Sequence, residues 1–152
     1  MSHNIEYKDK ITCGAFIVDV NYNMLICHAT GFRPDEGWGV PKGLMDDGED
    51  RHKTAIRELE EETGIIIENH QYNVFDIGAI RYPYKNKTLH GFLFTINGII
   101  DDKLVCDSFF TKKGISLPEV DEFRWVPIME ALDCIQAEQS RLFGDYGLQR
   151  LL

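Results

Sequence analysis

The sequence predicts a mixed α-and-β fold, α/β or α+β, organised around a mixed sheet. Three observations lead there. Short apolar runs rich in β-branched and aromatic residues recur along the chain, each bounded by turn residues. Two other stretches carry helical periodicity instead. At 152 residues the chain has the length of a single domain, 1–152, with enough surface to bury for one core without disulfide staples.

The elements follow in order. Residues 11–20, ITCGAFIVDV, predict a strand. Asn21, Tyr22 and Asn23 give a turn signal, and 24–28 returns as a second strand. Residues 30–43 read as a loop because Gly31, Pro34, Gly37, Gly39 and Pro41 interrupt any period. Residues 50–63 are helical, with Gly64 placed to end the helix. Strands follow at 74–82 and 89–96, with a short one at 123–126. Pro127 suits the first turn of a helix. Ile128, Met129, Leu132 and Ile135 give that helix an apolar face as far as Phe143.

The helix over 50–63 carries the chemistry. At about 100° per residue, with Glu58 at zero, Glu61 falls near −60° and Glu62 near +40°. Ala55, Leu59 and Ile56 occupy the adjoining arc and face the core. Three carboxylates on one narrow face repel one another. Arg57 offsets one of them, and a hard divalent cation would relieve all three. Read by itself, the same pattern also fits a solvated acidic face.

Composition bounds the partners. Hydrophobic residues make up 43% and formal net charge is −9, which argues against a general nucleic-acid surface and against anionic membranes. No apolar stretch is long enough to span a bilayer, and 1–10 lacks the pattern of a secretory leader. Cys13, Cys27, Cys106 and Cys134 show no C-x-x-C spacing, and the first three lie in strand-like segments. These features together predict a cytoplasmic protein with reduced thiols. His52 points toward the apolar arc and reads as packed, while His28 and His90 receive no role.

Residues 43–65, GLMDDGEDRHKTAIRELEEETGI, resemble the Nudix box, G-x5-E-x7-R-E-U-x-E-E-x-G-U, where U is bulky and apolar. Gly43, Glu49, Arg57, Glu58, Leu59, Glu61, Glu62, Gly64 and Ile65 match every specified position. The resemblance implies an α/β/α sandwich with a mixed β-sheet and the loop–helix–loop of the box. It also implies hydrolysis of a nucleoside diphosphate linked to another moiety, with Mg²⁺ or Mn²⁺ as cofactor. Glu58, Glu61, Glu62 and the Gly43 carbonyl are then the expected metal ligands, one carboxylate, most often that of Glu58, doubling as base. Glu49 and Arg57 resemble the pair that orients this loop. Many members draw a further catalytic carboxylate from a later loop. Glu119 and Glu122 are the candidates here, and Glu119 is preferred because its spacing to Trp125 resembles enzymes that cleave dinucleoside polyphosphates.

Two further stretches bear on substrate. Trp38, Pro41, Lys42 and Gly43 form a W-x-x-P-K-G run resembling diadenosine tetraphosphate hydrolases and diphosphoinositol polyphosphate phosphohydrolases. Lys42 brings a phosphate-seeking cation to the box. Trp38 is either a ligand platform or packing beneath the loop. In RYPYKNK at 81–87, Tyr82 or Tyr84 is a candidate for stacking on a base, and Lys85 and Lys87 for distal phosphates. A small-molecule nucleotide, above all a dinucleoside polyphosphate, is therefore the expected substrate. A diphosphoinositol polyphosphate is the second choice, for which Arg33, Arg81, Lys112 and Lys113 would add cations. ADP-ribose, nucleotide sugars and 5′-triphosphate RNA ends stay open. The alternative of a different class is a non-catalytic nucleotide-sensing module. Such modules usually lose a box carboxylate, whereas all three stand here.

Overall fold

The computed structural model describes residues 9–151, so the expectation of no leader, drawn from 1–10, lies largely outside the described residues. In chain order the elements are β1 (Lys10–Val18), β2 (Asn23–Ala29), β3 (Trp38–Gly39), β4 (Lys42–Leu44), α1 (Arg51–Thr63), β5 (Tyr72–Arg81) and β6 (Lys87–Ile96). The second half holds β7 (Phe109–Lys112), β8 (Ile115–Pro118), β9 (Val120–Pro127), α2 (Ile128–Cys134) and α3 (Ala137–Leu142). The main sheet runs β3-β2-β1-β6-β5, with β4 also on β1 and β9 also on β2. It is mixed because β1 and β6 run parallel while the other pairs are antiparallel.

β1 is apolar on both faces because helices cover both. Phe16 and Val18 point to one core with Met24, Ile26, Leu89 and Leu93, closed by Ile128, Ala131 and Leu142 of the C-terminal helices. Cys13, Ala15 and Ile17 point to the other with Leu25, Phe92 and Phe94, closed by Ala55 and Leu59 of α1. Strand alternation thus splits one apolar segment between two helix layers, giving the α/β/α sandwich.

α1 begins and ends on side-chain and backbone chemistry legible in the sequence. The Asp50 carboxylate accepts from the Lys53 backbone N–H at 2.8 Å and caps the N-terminus. Gly64 adopts φ 81°, a left-handed conformation, and its N–H donates to the Glu60 carbonyl.

Several expectations are corrected. The loop over 30–43 contains β3 and β4. β1 and β2 pair at Val18↔Met24, and β4 pairs with the other end of β1, at Thr12, Cys13 and Gly14. Strands of two and three residues are too short to show periodicity. The hairpin β7–β8, which the sequence did not announce, precedes β9, and β9 is longer than 123–126. Cys106 lies outside any strand. The last helix is not continuous. It breaks at Ile135, whose backbone is extended, because Gln136 N–H donates to the Trp38 carbonyl instead of continuing the helix. Beyond α3 the chain winds through turns at Phe143–Gly147 and Leu148–Leu151, with Leu148 and Leu151 packed on the first core. Among the described residues no helix is long and apolar enough to cross a membrane.

Candidate active site

The site starts from Arg57. Its Nε and Nη2 donate to the two carboxylate oxygens of Glu49, at 2.8 and 2.9 Å. Nη2 also reaches the Leu44 carbonyl at 2.9 Å. Nη1 donates to Glu58 Oε1 at 2.8 Å and to Glu61 Oε2 at 3.2 Å. The sequence pattern gives Arg57 one partner among the α1 carboxylates. It holds two, because a planar guanidinium carries five donors in a fixed fork. The bond to Arg57, then that to Thr54, lowers the Glu49 pKa to about 2. The same carboxylates lift Arg57 further above its already high range.

Glu58 and Glu62 are buried, each 7% exposed, while the Glu61 side chain stays two-fifths exposed, so two of the three carboxylates are withdrawn from solvent. Burial, and next the neighbouring Glu61, raises the Glu58 pKa. Burial pushes Glu62 up to about 8, although Lys42 and its backbone N–H pull the other way. That N–H donates to Glu62 Oε1 at 3.2 Å. Gly43 comes between: a Cβ there would overlap the Glu58 carboxylate, so only glycine lets β4 lie this close to α1. Two buried carboxylates held at elevated pKa beside a third and an open backbone suit a hard cation, which prefers oxygen donors and compensates the buried charge. Among the described residues no three His, Cys, Asp or Glu side chains converge as a ligand cage, and Arg57 bonds both Glu58 and Glu61.

Two cavities meet here. One, of about 350 Å³, is lined by Gly43, Asp46, Arg57, Glu58, Ser108 and Glu119. The other, of about 450 Å³, has an apolar wall of Phe32, Trp38, Val40, Val120 and Ile135, with Glu62 and Tyr82 at its edge. Lys42 and Lys87 line both, and Lys85 joins the second. Burial, and next the crowding of Lys42, Lys85 and Lys10, lowers the Lys87 pKa.

The remaining predicted residues fall unevenly. Trp38 is 4% exposed and donates from Nε1 to the Pro34 carbonyl at 2.9 Å, so it packs beneath the loop while one face lines the cavity. Tyr82 is buried, with the ammonium groups of Lys85 and Lys87 over its ring at 5.9 and 5.6 Å. Tyr84 is fully exposed at the tip of the β5–β6 hairpin and lines neither cavity. Arg81 and Arg33 are engaged by Asp9 and Asp35. Glu119 reaches the acidic cavity and Glu122 does not, pairing instead with Arg124. His52 packs against Phe92 and Phe94.

Gln139 was missed by the sequence reading. It is 1% exposed, and its Oε1 accepts from Val40 N–H at 2.9 Å. Burial raises the Tyr82 hydroxyl pKa against the opposing bond from Gln139. Gln139 thus ties α3 to the segment entering the box. A polar residue spaced four after Ile135 and three before Leu142, on an apolar face, was the available signal.

Comparisons with known proteins bear on the family and the fold. The family model for the NUDIX domain matches residues 8–146. Nudix hydrolase 7 of Arabidopsis thaliana is 26% identical over 140 residues, covering 88% of this chain and 44% of that protein. An RNA pyrophosphohydrolase of Sphingopyxis alaskensis is 63% identical over 30 residues, covering 20% of this chain and 19% of that protein. The chain spans less than half the length of these curated relatives. Among solved structures, a C. elegans Ap4A hydrolase in a binary complex superposes with TM-score 0.65 at 23% identity, covering 88% of this chain and 93% of that one. At that identity the likeness shows the fold.

Proposed function

The chain belongs to the Nudix family, and from that premise we propose that it is a metal-dependent pyrophosphohydrolase acting on dinucleoside polyphosphates of the diadenosine tetraphosphate class. The observation that carries this reading is the pair Lys42 and Lys87, shared by an aromatic cavity and an acidic one. One nucleoside fits the 450 Å³ cavity, and its phosphate chain runs over the two lysines toward Glu58 and Glu119.

Glu58, Glu61, Glu62 and the Gly43 carbonyl would hold Mg²⁺ or Mn²⁺, which when bound supplies charge neutralisation at the anhydride and a more acidic water. Arg57, fixed by Glu49, sets the direction of the Glu58 and Glu61 carboxylates. Lys42 and Lys87 hold phosphate oxygens as point charges and orient the chain for in-line attack. Glu119 lines the acidic cavity and is the candidate to accept the attacking water's proton. Phe32, Trp38 and Ile135 shield the nucleoside from water.

A diphosphoinositol polyphosphate is less well served, since Arg33 and Arg81 are engaged elsewhere and Lys112 and Lys113 line neither cavity. The test is a product assay with Mg²⁺ on diadenosine tetraphosphate, ADP-ribose, a diphosphoinositol polyphosphate and triphosphorylated RNA. Cleavage of the dinucleotide by the wild type, lost in Glu62→Gln, supports the proposal. Cleavage of another member alone reassigns the substrate. Nucleotide binding without any cleavage would favour a sensing module.

A further inference from the structure

His28 lies on β2 outside the acidic site, 5% exposed, and both its ring nitrogens face oxygen. Nδ1 is 2.6 Å from Asp121 Oδ1 on β9, and Nε2 is 2.8 Å from the Arg33 carbonyl. A carbonyl only accepts, and Asp121, two-fifths exposed, is an acceptor when ionised. Both nitrogens therefore donate, which only the imidazolium does. Burial opposes that charge, but the Arg33 carbonyl and the Asp121 carboxylate outweigh it and raise the His28 pKa.

The bond to Arg33 has a partner at the next residue. Trp38 Nε1 donates to the Pro34 carbonyl at 2.9 Å, with the Trp38 and His28 rings 5.1 Å apart. The crown of the loop over 30–37 is thus gripped at two consecutive carbonyls by side chains from its two ends. That loop carries Phe32, which packs so closely on Gly37 that a Cβ there would lie 2.6 Å from it, and both line the aromatic cavity.

We propose that His28 is a positioning residue: as an imidazolium it clamps the loop over 30–37 to β9 and thereby sets the Phe32 wall of the nucleoside cavity. Other charges around it leave this role clear. From β9, Glu122 adds negative potential, while Arg124 lies over the Trp38 ring at 4.7 Å and pairs with Glu122 at 3.1 Å. From the loop, the Arg33 guanidinium turns to Asp35 at 3.0 Å and Glu36 at 3.9 Å. Loss of the ring proton leaves one of the two oxygens without a donor. The carboxylate holds the remaining proton more strongly, so the loop carbonyl is the one released.

The clamp rests on the proposed function only for the ligand of the cavity, and the experiment separates the two. Amide hydrogen exchange of 31–36 is measured from pH 5 to 9 and corrected for intrinsic chemical exchange. ADP affinity in EDTA, where no turnover occurs, is measured on the same samples. The wild type is expected to show loop exchange rising about tenfold across one titration, with ADP binding weakening in step. Asp121→Asn, which removes the anion, shifts that step to lower pH. His28→Gln, which keeps one neutral donor, abolishes the step, and Phe32→Ala uncouples ADP affinity from it. Loop exchange that is flat with pH in the wild type, or a step unmoved in Asp121→Asn, overturns the clamp even if His28→Gln fails to fold. A step in exchange with no ADP binding at any pH keeps the clamp and removes the nucleotide reading of the cavity.

Discussion

Arg57 and Glu49 form a two-point contact, with Nε donating to Oε2 at 2.8 Å and Nη2 to Oε1 at 2.9 Å. The remaining nitrogen of the same guanidinium reaches Glu58 and Glu61, so Glu49 fixes the plane in which Arg57 meets them. Glu49→Gln is expected to lower kcat about tenfold to a hundredfold. KM should stay within a few-fold, because Glu49 lies outside the aromatic cavity. A KM effect as large as the kcat effect would contradict this division.

Metal-free stability should report the cost of the buried Glu62. Its folded pKa, about 8, stands above the ordinary value of 4.5. The folded state therefore binds the extra proton between those values, and its stability falls as pH rises through that window. Glu62→Gln should unfold at a higher temperature than the wild type at pH 9 in EDTA, and the difference should vanish below pH 5. Added Mg²⁺ should raise the melting temperature of the wild type more than that of the variant.

Lys87 and Tyr84 make opposite predictions from one hairpin. Lys87→Met should raise KM for diadenosine tetraphosphate about tenfold, since it removes a cation shared by both cavities. Tyr84→Ala should leave KM within about twofold, because an exposed surface ring contributes little by itself. A large Tyr84 effect would show that the hairpin folds over bound substrate.

Glu119→Gln should lower kcat at least about tenfold at unchanged fold stability, as expected for loss of a positioned base. Steady-state kinetics beside thermal melts would decide it, and unchanged turnover would remove Glu119 from the chemistry.

Much of this was legible in the sequence wherever a regular period or a fixed spacing exists. Asp50, Gly64 and the apolar arc of Ala55 and Leu59 announced α1, and Arg57 bonds Glu49, the pair the resemblance implied, while also reaching Glu58 and Glu61. What escaped depends on partners distant in the chain. The break at Ile135 comes from Gln136 bonding to Trp38, about a hundred residues earlier. Tyr82 and Tyr84 are identical residues two positions apart, yet burial separates them completely, because the Tyr82 N–H still pairs with the Lys87 carbonyl across the hairpin while Tyr84 sits in its turn. His28 and Asp121 meet only because β2 and β9 are neighbours in the sheet.

The break between α2 and α3 has a consequence for the aromatic cavity. Ile135 and Gln139 line one side of the aromatic cavity, from the helix layer opposite the helix that bears the carboxylates. The two layers communicate through the short segment from Trp38 to Gly43. Reshaping the break between α2 and α3 therefore alters this side of the aromatic cavity without touching the core against which the carboxylate-bearing helix packs.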